Sequence, residues 1–145
     1  MQMEAQRGLS DIVAVLDEEI EHVDELHFRL VSLQRLLEAG DLELVDRAAA
    51  EVEVELFRVR ETELVRSILV STAIDQLGGQ PQHTRLDDLI DLADDDHAAR
   101  LRSQGRHLAR RADQIERLGA RTQRLADRQA DELEAGGAFG DEEER

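Results

Sequence analysis

Residues 9–37 read LSDIVAVLDEEIEHVDELHFRLVSLQRLL, and apolar side chains recur in this stretch at every third or fourth position. These positions are Leu9, Ile12, Leu16, Ile20, Val23, Leu26, Leu30, Leu33 and Leu37. The spacing matches one face of a helix, and the alternation typical of a strand is absent. Acidic residues occupy much of the remaining surface of this stretch. It therefore predicts a long amphipathic helix over residues 9–39.

A second helix of similar length is predicted over residues 42–77. Its apolar positions are Leu42, Val45, Ala49, Val52, Leu56 and Val59, followed by Leu64, Val65, Ile68 and Leu69. The polar residues at 60–63 interrupt the series, which indicates a shift of register along the helix. Gly40 suits the end of one helix and Asp41 the cap of the next. Two helices joined by so short a turn favour an antiparallel hairpin.

A third helix is predicted over residues 85–134, after a break at 78–84 that contains Pro81. Thr84 and Asp87 have the spacing of a capping box. Small residues recur every seven positions at Ala98, Gly105, Ala112, Gly119 and Ala126, beside the larger Leu101, Leu108 and Ile115. Such a face lets another helix approach closely, while each glycine weakens the helix by about 1 kcal/mol. Two interpretations remain open: a closely packed third helix, or a partly mobile segment that becomes ordered on binding.

The predicted architecture is all-α and elongated. It is an antiparallel three-helix bundle, or equally a coiled-coil hairpin with a third long helix packed beside it. A single helical domain is expected over residues 1–135. Residues 136–145 are rich in glycine and acids, and they are expected to form a disordered acidic tail.

The composition excludes several classes of protein. The chain has no Cys, which removes disulfides, thiolate nucleophiles and cysteine-based zinc sites. It has three Phe and no Trp or Tyr, so it offers little for stacking bases. No apolar run approaches the roughly 20 residues of a membrane span, and residues 1–10 lack the pattern of a signal peptide. We therefore expect a soluble cytoplasmic protein without membrane insertion.

The net charge of −16 is unevenly distributed. Residues 1–99 carry −16, residues 100–130 carry +6 and residues 131–145 carry −6, and every basic residue is Arg. The basic window has three interpretations: ion pairing with the acidic helices of the same chain, a nucleic-acid surface, or a surface for a protein partner. A nucleic-acid partner is not expected, because no aromatic residue lies among the arginines and the whole chain is acidic.

Three pairs have the carboxylate-x-x-His spacing by which di-iron bundles assemble their ligands. The pairs are Glu19 with His22, Asp24 with His27, and Asp94 with His97. In a chain with 34 acidic residues, this spacing is expected to arise by chance. No phosphate-binding loop or nucleophile elbow is present either. We therefore predict no metal, no cofactor and no catalytic residue, and we expect that the protein is not an enzyme.

The order of several weak motifs resembles the FlgN-type flagellar export chaperones, in the style of their actinobacterial members. The similar stretches, within about residues 9–130, are Leu9-Ser10-Asp11-Ile12, Leu26-His27-Phe28-Arg29-Leu30, Leu36-Leu37-Glu38-Ala39-Gly40-Asp41, Ala48-Ala49-Ala50-Glu51-Val52-Glu53, Arg60-Glu61-Thr62-Glu63-Leu64-Val65-Arg66, Leu77-Gly78 and Thr84-Arg85-Leu86-Asp87-Asp88-Leu89. The resemblance implies a cytoplasmic helical chaperone. Such a protein binds the C-terminal helices of hook-associated proteins, prevents their premature assembly and delivers them for type III secretion.

In this family the client binds mainly the C-terminal amphipathic helix. Carried onto this chain, the resemblance implies a partner-binding surface made of Leu101, Leu108, Ala112, Ile115, Leu118, Gly119, Thr122 and Leu125. Gly119 and Thr122 stand near the positions where family members often carry Asn. The expected partners are hook-associated proteins, with export-gate components and a homodimer as further expected interactions. Two other functions remain as alternatives: a generic coiled-coil scaffold, and more remotely a di-metal helical-bundle enzyme.

Overall fold

The computed structural model describes the backbone of residues 2–143 and the side chains of residues 3–136. Within these residues the chain forms four helices and no strand: α1 (Gln2–Ala39), α2 (Leu42–Gln76), α3 (Leu86–Leu92) and α4 (Asp95–Glu143). The predicted all-α architecture is confirmed. The first helix begins before the predicted residue 9, and the predicted third helix is divided into α3 and α4.

The turn between α1 and α2 forms as the sequence predicts. Gly40 has a φ of +71°, in the left-handed region that favours glycine, and its N–H donates to the Leu37 carbonyl. The Asp41 carboxylate accepts from the Leu44 N–H at 3.4 Å and caps the start of α2. The two helices then pack against each other in opposite directions.

The break between α3 and α4 lies at Ala93 and Asp94, inside the predicted third helix. Ala93 has extended backbone, and Asp94 accepts a hydrogen bond from the His97 N–H at 3.3 Å. The Nδ1 atom of His97 also lies 2.6 Å from the Asp94 carboxylate. The hydrogen bond from His97 lowers the pKa of Asp94. This acidic residue therefore caps α4, and the one-turn spacing that suggested a metal-binding pair belongs to a helix start.

Two further boundaries differ from the prediction. The capping interaction before α3 lies one residue later than predicted, since the Arg85 N–H donates to the Asp88 carboxylate at 3.1 Å and Thr84 and Asp87 do not form the pair. Helix α4 extends to Glu143, past the predicted end at residue 134 and through most of the segment expected to be a tail. Disorder of residues 136–145 stays a prediction, because the side chains beyond Gly136 lie outside the described part of the chain.

The helices run up, down and up, with α1 at the centre. Cross-helix contacts join Ser10 to His97, Asp17 to Arg100 and Asp24 to His107, so α4 runs parallel to α1. Helices α2 and α4 both pack on α1, and among the described residues no Cα of one lies within 8 Å of a Cα of the other. The third helix therefore joins a two-sided packing around α1 rather than a closed triangle.

The core consists of three apolar clusters in succession along α1. The first joins all four helices through Leu9, Ile12, Leu16, Val70, Ala73, Ile74, Leu89, Ile90, Ala98 and Leu101. The second contains Val23, Leu26, Leu30, Val59 and Leu118, and the third contains Leu33, Leu37 and Ala48. The first cluster contains both residues of α3 that are buried, so it fixes the short helix at this end of the bundle.

The inward face of α2 does not resume at Leu64, Val65 and Ile68, which corrects the sequence interpretation. The positions that face the bundle continue at steps of three and four through Val45, Ala48, Val52, Glu55, Val59, Thr62, Arg66, Val70 and Ala73. Glu55 and Thr62 are buried, and polar residues at inward positions hide the pattern from a search for apolar spacing. Leu64, Val65 and Ile68, assigned to the inward face from the sequence, are exposed.

Candidate functional site

The predicted partner-binding residues of α4 lie mostly against α1. Leu101, Leu118 and Thr122 are buried, and the hydroxyl of Thr122 donates to the Leu118 carbonyl at 2.8 Å. Leu108, Ile115, Gly119 and Leu125 are half-buried, and Ala112 is exposed. In the free chain this face is therefore largely used for packing, although its half-buried residues and Ala112 keep some access to solvent.

The basic window forms ion pairs with α1, as one interpretation of the sequence proposed. Arg100 lies 3.2 Å from the Asp17 carboxylate, while Arg111 and His107 lie 2.8 and 2.9 Å from that of Asp24. Burial alone raises the pKa of Asp24, but hydrogen bonds from His107 and Arg111 hold it below the ordinary value of 3.8. The contacts at Asp17 and Asp24 lie seven residues, or two turns, apart and set the register of α4 on α1.

Other arginines of the window point away from these acids. Arg102, Arg106, Arg110, Arg121, Arg124 and Arg128 are exposed. None of them forms an ion pair within 4.0 Å among the residues whose side chains the structure describes. The outer surface of α4 is therefore an uncompensated basic face on an acidic protein.

We use the name α2–α4 gap for the apolar region between α2 and α4, whose innermost residues on α1 are buried. Its floor is formed by Val23, Leu26 and Leu30 of α1. Its walls are half-buried side chains, Val52 and Leu56 from α2 and Leu108 and Ile115 from α4. The gap therefore combines apolar walls with partial access to solvent.

Helix α3 fills one end of this gap. It contacts both α2 and α4, and the Cδ2 atom of Leu86 would lie 3.4 Å from a Cβ added at Gly105. Two heptads further along α4, a Cβ added at Gly119 would meet nothing within 4 Å. The row of small residues on α4 is thus covered at Gly105 and open at Gly119, although both glycines share one heptad position.

A buried ionic layer crosses the α1–α2 seam. Glu19 is 2% exposed, and the Arg66 side chain donates to both of its carboxylate oxygens. One oxygen of the buried Glu55 accepts from Arg58 at 2.6 Å, and the other lies 3.4 Å from Nδ1 of His22. Arginine therefore neutralises each buried carboxylate of the layer.

The three acidic residues considered as metal ligands make other contacts. Glu19 pairs with Arg66, Asp24 with His107 and Arg111, and Asp94 with the start of α4. In the part of the chain with described side chains, no three His, Asp or Glu residues are grouped as metal ligands would be. No described helix has an apolar stretch long enough to cross a bilayer.

Sequence reasoning missed an apolar face on the outside of α2. Val54, Phe57, Leu64, Val65 and Ile68 are all exposed there, and none belongs to a core cluster. Their spacing was readable from the sequence, since 54, 57, 61, 64 and 68 follow the alternation of three and four steps of a heptad. The sequence interpretation assigns these residues to the single inward face of α2, whereas the helix carries a separate apolar face on its outside.

Comparison with protein-family models, with curated proteins and with solved structures found no match to this chain.

Proposed function

We propose that this protein is an export chaperone of the FlgN type, which holds a helix of a hook-associated client in the α2–α4 gap. The observation that carries the proposal is the position of α3. This short helix already lies between α2 and α4 at one end of the gap. Along the rest of the gap the walls are also apolar and half-buried, and no described helix of this chain lies between them.

A client helix in this position would complete a four-helix arrangement. Its apolar face would cover Leu108 and Ile115 on one side and Leu56 on the other, and these residues are only half-buried in the free chain. The open site at Gly119 would allow the client backbone to come close to α4. Helix-in-groove recognition of this kind requires an amphipathic client segment.

The arrangement also suits a chaperone that must release its client. The walls of the gap are partly buried already, so the free chaperone does not present a large apolar patch that would aggregate. Binding would add burial only along the exposed flank of each wall. The resulting complex is specific in shape and moderate in buried area, which favours reversible binding.

The proposal is tested by Gly119→Leu, with Ala120→Leu as a matched control. A Cβ added at 119 meets no atom within 4 Å in the free protein, and leucine improves helix propensity over glycine by about 1 kcal/mol, so we expect folding to be retained. It would fill the space that a client helix needs. Ala120 is the next residue and is exposed, so a leucine there adds the same side chain on another face.

The measurement is calorimetric titration with the C-terminal helical fragment of a hook-associated protein. We expect Gly119→Leu to weaken binding by more than about tenfold and Ala120→Leu to leave it unchanged. Equal affinity of the two variants would refute the gap as the binding site. Absence of binding to the wild-type protein would refute the client class.

A further inference from the structure

The outer face of α2 carries a continuous apolar stripe, separate from the surface proposed for the client. We define the α2 stripe as Val54, Phe57, Glu61, Leu64 and Ile68, with Val65 beside it. The exposed fractions are 51% at Val54, 63% at Phe57, 64% at Leu64 and 58% at Ile68. All but Glu61 are apolar, so the stripe has the composition of a helix-packing seam with one polar position.

The α2 stripe exposes a much larger apolar area than a single surface side chain does. From these fractions, its apolar members expose about 500 Å² together, within the range at which an apolar patch on a monomer is often functional. Two such stripes packed on each other would bury about 1,000 Å², near the lower limit of a specific protein interface. The stripe is therefore large enough for a reversible dimer.

The charges around the stripe favour a second copy of this chain. The protein as a whole carries −16, so two copies repel each other across most surfaces. The exposed charged residues between 53 and 68, however, are Arg58 and Arg60 with Glu53, Glu61 and Glu63, which nearly cancel. This is a surface on which two copies can approach without bringing together a large excess of like charge.

We propose that the α2 stripe is a homodimer seam, in which α2 of one copy packs against α2 of a second copy about a two-fold axis. A two-fold interface uses the same surface of both copies, and heptad-spaced positions can interdigitate with their own equivalents. Glu61 lies in the middle of the stripe, where a polar side chain lowers the stability of a coiled-coil seam. The dimer is therefore expected to dissociate on dilution.

The inference does not depend on the proposed chaperone function. The stripe residues belong to none of the core clusters, whereas Val52 and Leu56 of the same helix line the α2–α4 gap. Dimerisation through the stripe would leave the gap accessible in both copies. Loss of one interaction can therefore be measured without loss of the other.

The first test compares Phe57→Glu with Phe28→Glu by sedimentation equilibrium over a range of protein concentrations. Phe28 is a matched control, because it is exposed to 59% but lies on α1. We expect the wild-type protein and Phe28→Glu to show the same monomer–dimer equilibrium, and Phe57→Glu to weaken the dimer by roughly a hundredfold. Circular dichroism verifies that both variants remain helical.

The second test is a gain of association, which a folding defect cannot imitate. Glu61→Leu completes the apolar seam, and we expect it to tighten the dimer by about tenfold or more. Raising the salt concentration from about 50 mM to about 500 mM should also tighten the wild-type dimer, because it screens the repulsion between two acidic chains. A wild-type protein that stays monomeric up to millimolar concentration would overturn the proposal. Equal effects of Phe57→Glu and Phe28→Glu would overturn it as well.

Discussion

Arg66 donates from its Nε atom to both oxygens of the Glu19 carboxylate, at 2.8 and 3.2 Å, and this pair joins α1 to α2 between apolar layers of the seam. Burial raises the pKa of Glu19, and the contact with Arg66 offsets part of that increase. The carboxylate therefore depends on a single cation for its compensation. Glu19 occupies an inward heptad position that a leucine would fill in an ordinary bundle.

Removal of the cation should destabilise the fold more than removal of an exposed arginine. Arg66→Met leaves Glu19 buried without its partner, and we expect a loss of about 3 kcal/mol in the free energy of unfolding. Arg60→Met is the control, since Arg60 is exposed on the same helix and should change stability by less than about 0.5 kcal/mol. Urea denaturation monitored by circular dichroism measures both values. Equal losses would contradict the importance of the buried pair.

Asp24 should contribute to stability in an acid-sensitive way. Its pKa lies below 3.8 in the folded state, so its contribution is complete above that value and is lost as the pH falls through the folded pKa. Asp24→Asn should therefore reduce stability near neutral pH and flatten the acid limb of the stability profile. Denaturation midpoints measured between about pH 2 and pH 7 report this slope. A variant with the same acid slope as the wild type would exclude Asp24 as its source.

Glu19 should show the opposite dependence. Its folded pKa is raised above 4.5, so the folded state binds a proton before the unfolded state does as the pH falls. The wild-type protein should thus gain stability relative to Glu19→Gln when the pH is lowered through the folded pKa of Glu19 towards 4.5. The difference between the two denaturation profiles measures this effect. A difference that falls over the same interval would show that Arg66 more than offsets the effect of burial on the Glu19 pKa.

Two glycines should respond to alanine in opposite directions. At Gly79 a Cβ would lie 2.5 Å from the Ile74 side chain and 2.8 Å from Leu92, so Gly79→Ala should cost about 1–3 kcal/mol. At Gly119 the added methyl group meets nothing, so Gly119→Ala should stabilise α4 by about 0.5–1 kcal/mol. Thermal denaturation of both variants checks the signs. A loss of stability at Gly119 would mean that the open side of α4 is covered.

The sequence predicted the hairpin well because its determinants are local. Gly40 and Asp41 act through the backbone of adjacent residues, and the apolar face of α1 is nearly unbroken. The break at Ala93 was harder to predict, since three acids in a row are compatible both with a helix surface and with a helix start. Only the contact between Asp94 and the His97 backbone distinguishes the two.

The surface of α4 illustrates a different limit. Periodicity identifies residues that share a helix face, but it does not identify which neighbour covers that face. Leu101 and Leu118 belong to the predicted partner-binding surface, and in the free chain they are buried against α1. On α2 the polar residues Glu55 and Arg66 face the bundle, whereas the apolar Phe57 and Leu64 face outward. Apolar spacing alone therefore does not identify the inward face of this helix. Polar pairs in the core depend on a partner distant in sequence, and spacing alone does not reveal it.

The parallel alignment of α1 and α4 has a consequence for the order of folding. Their contacts join residues 83 to 92 positions apart, whereas α1 and α2 are joined by a two-residue turn. Closure of a long loop slows the docking of distant segments, so the hairpin should form first and α4 should dock last. During synthesis, the flank of α1 that packs on α4 would then stay exposed until the residues of α4 have left the ribosome. Translation speed across that segment would set how long the flank stays exposed to aggregation.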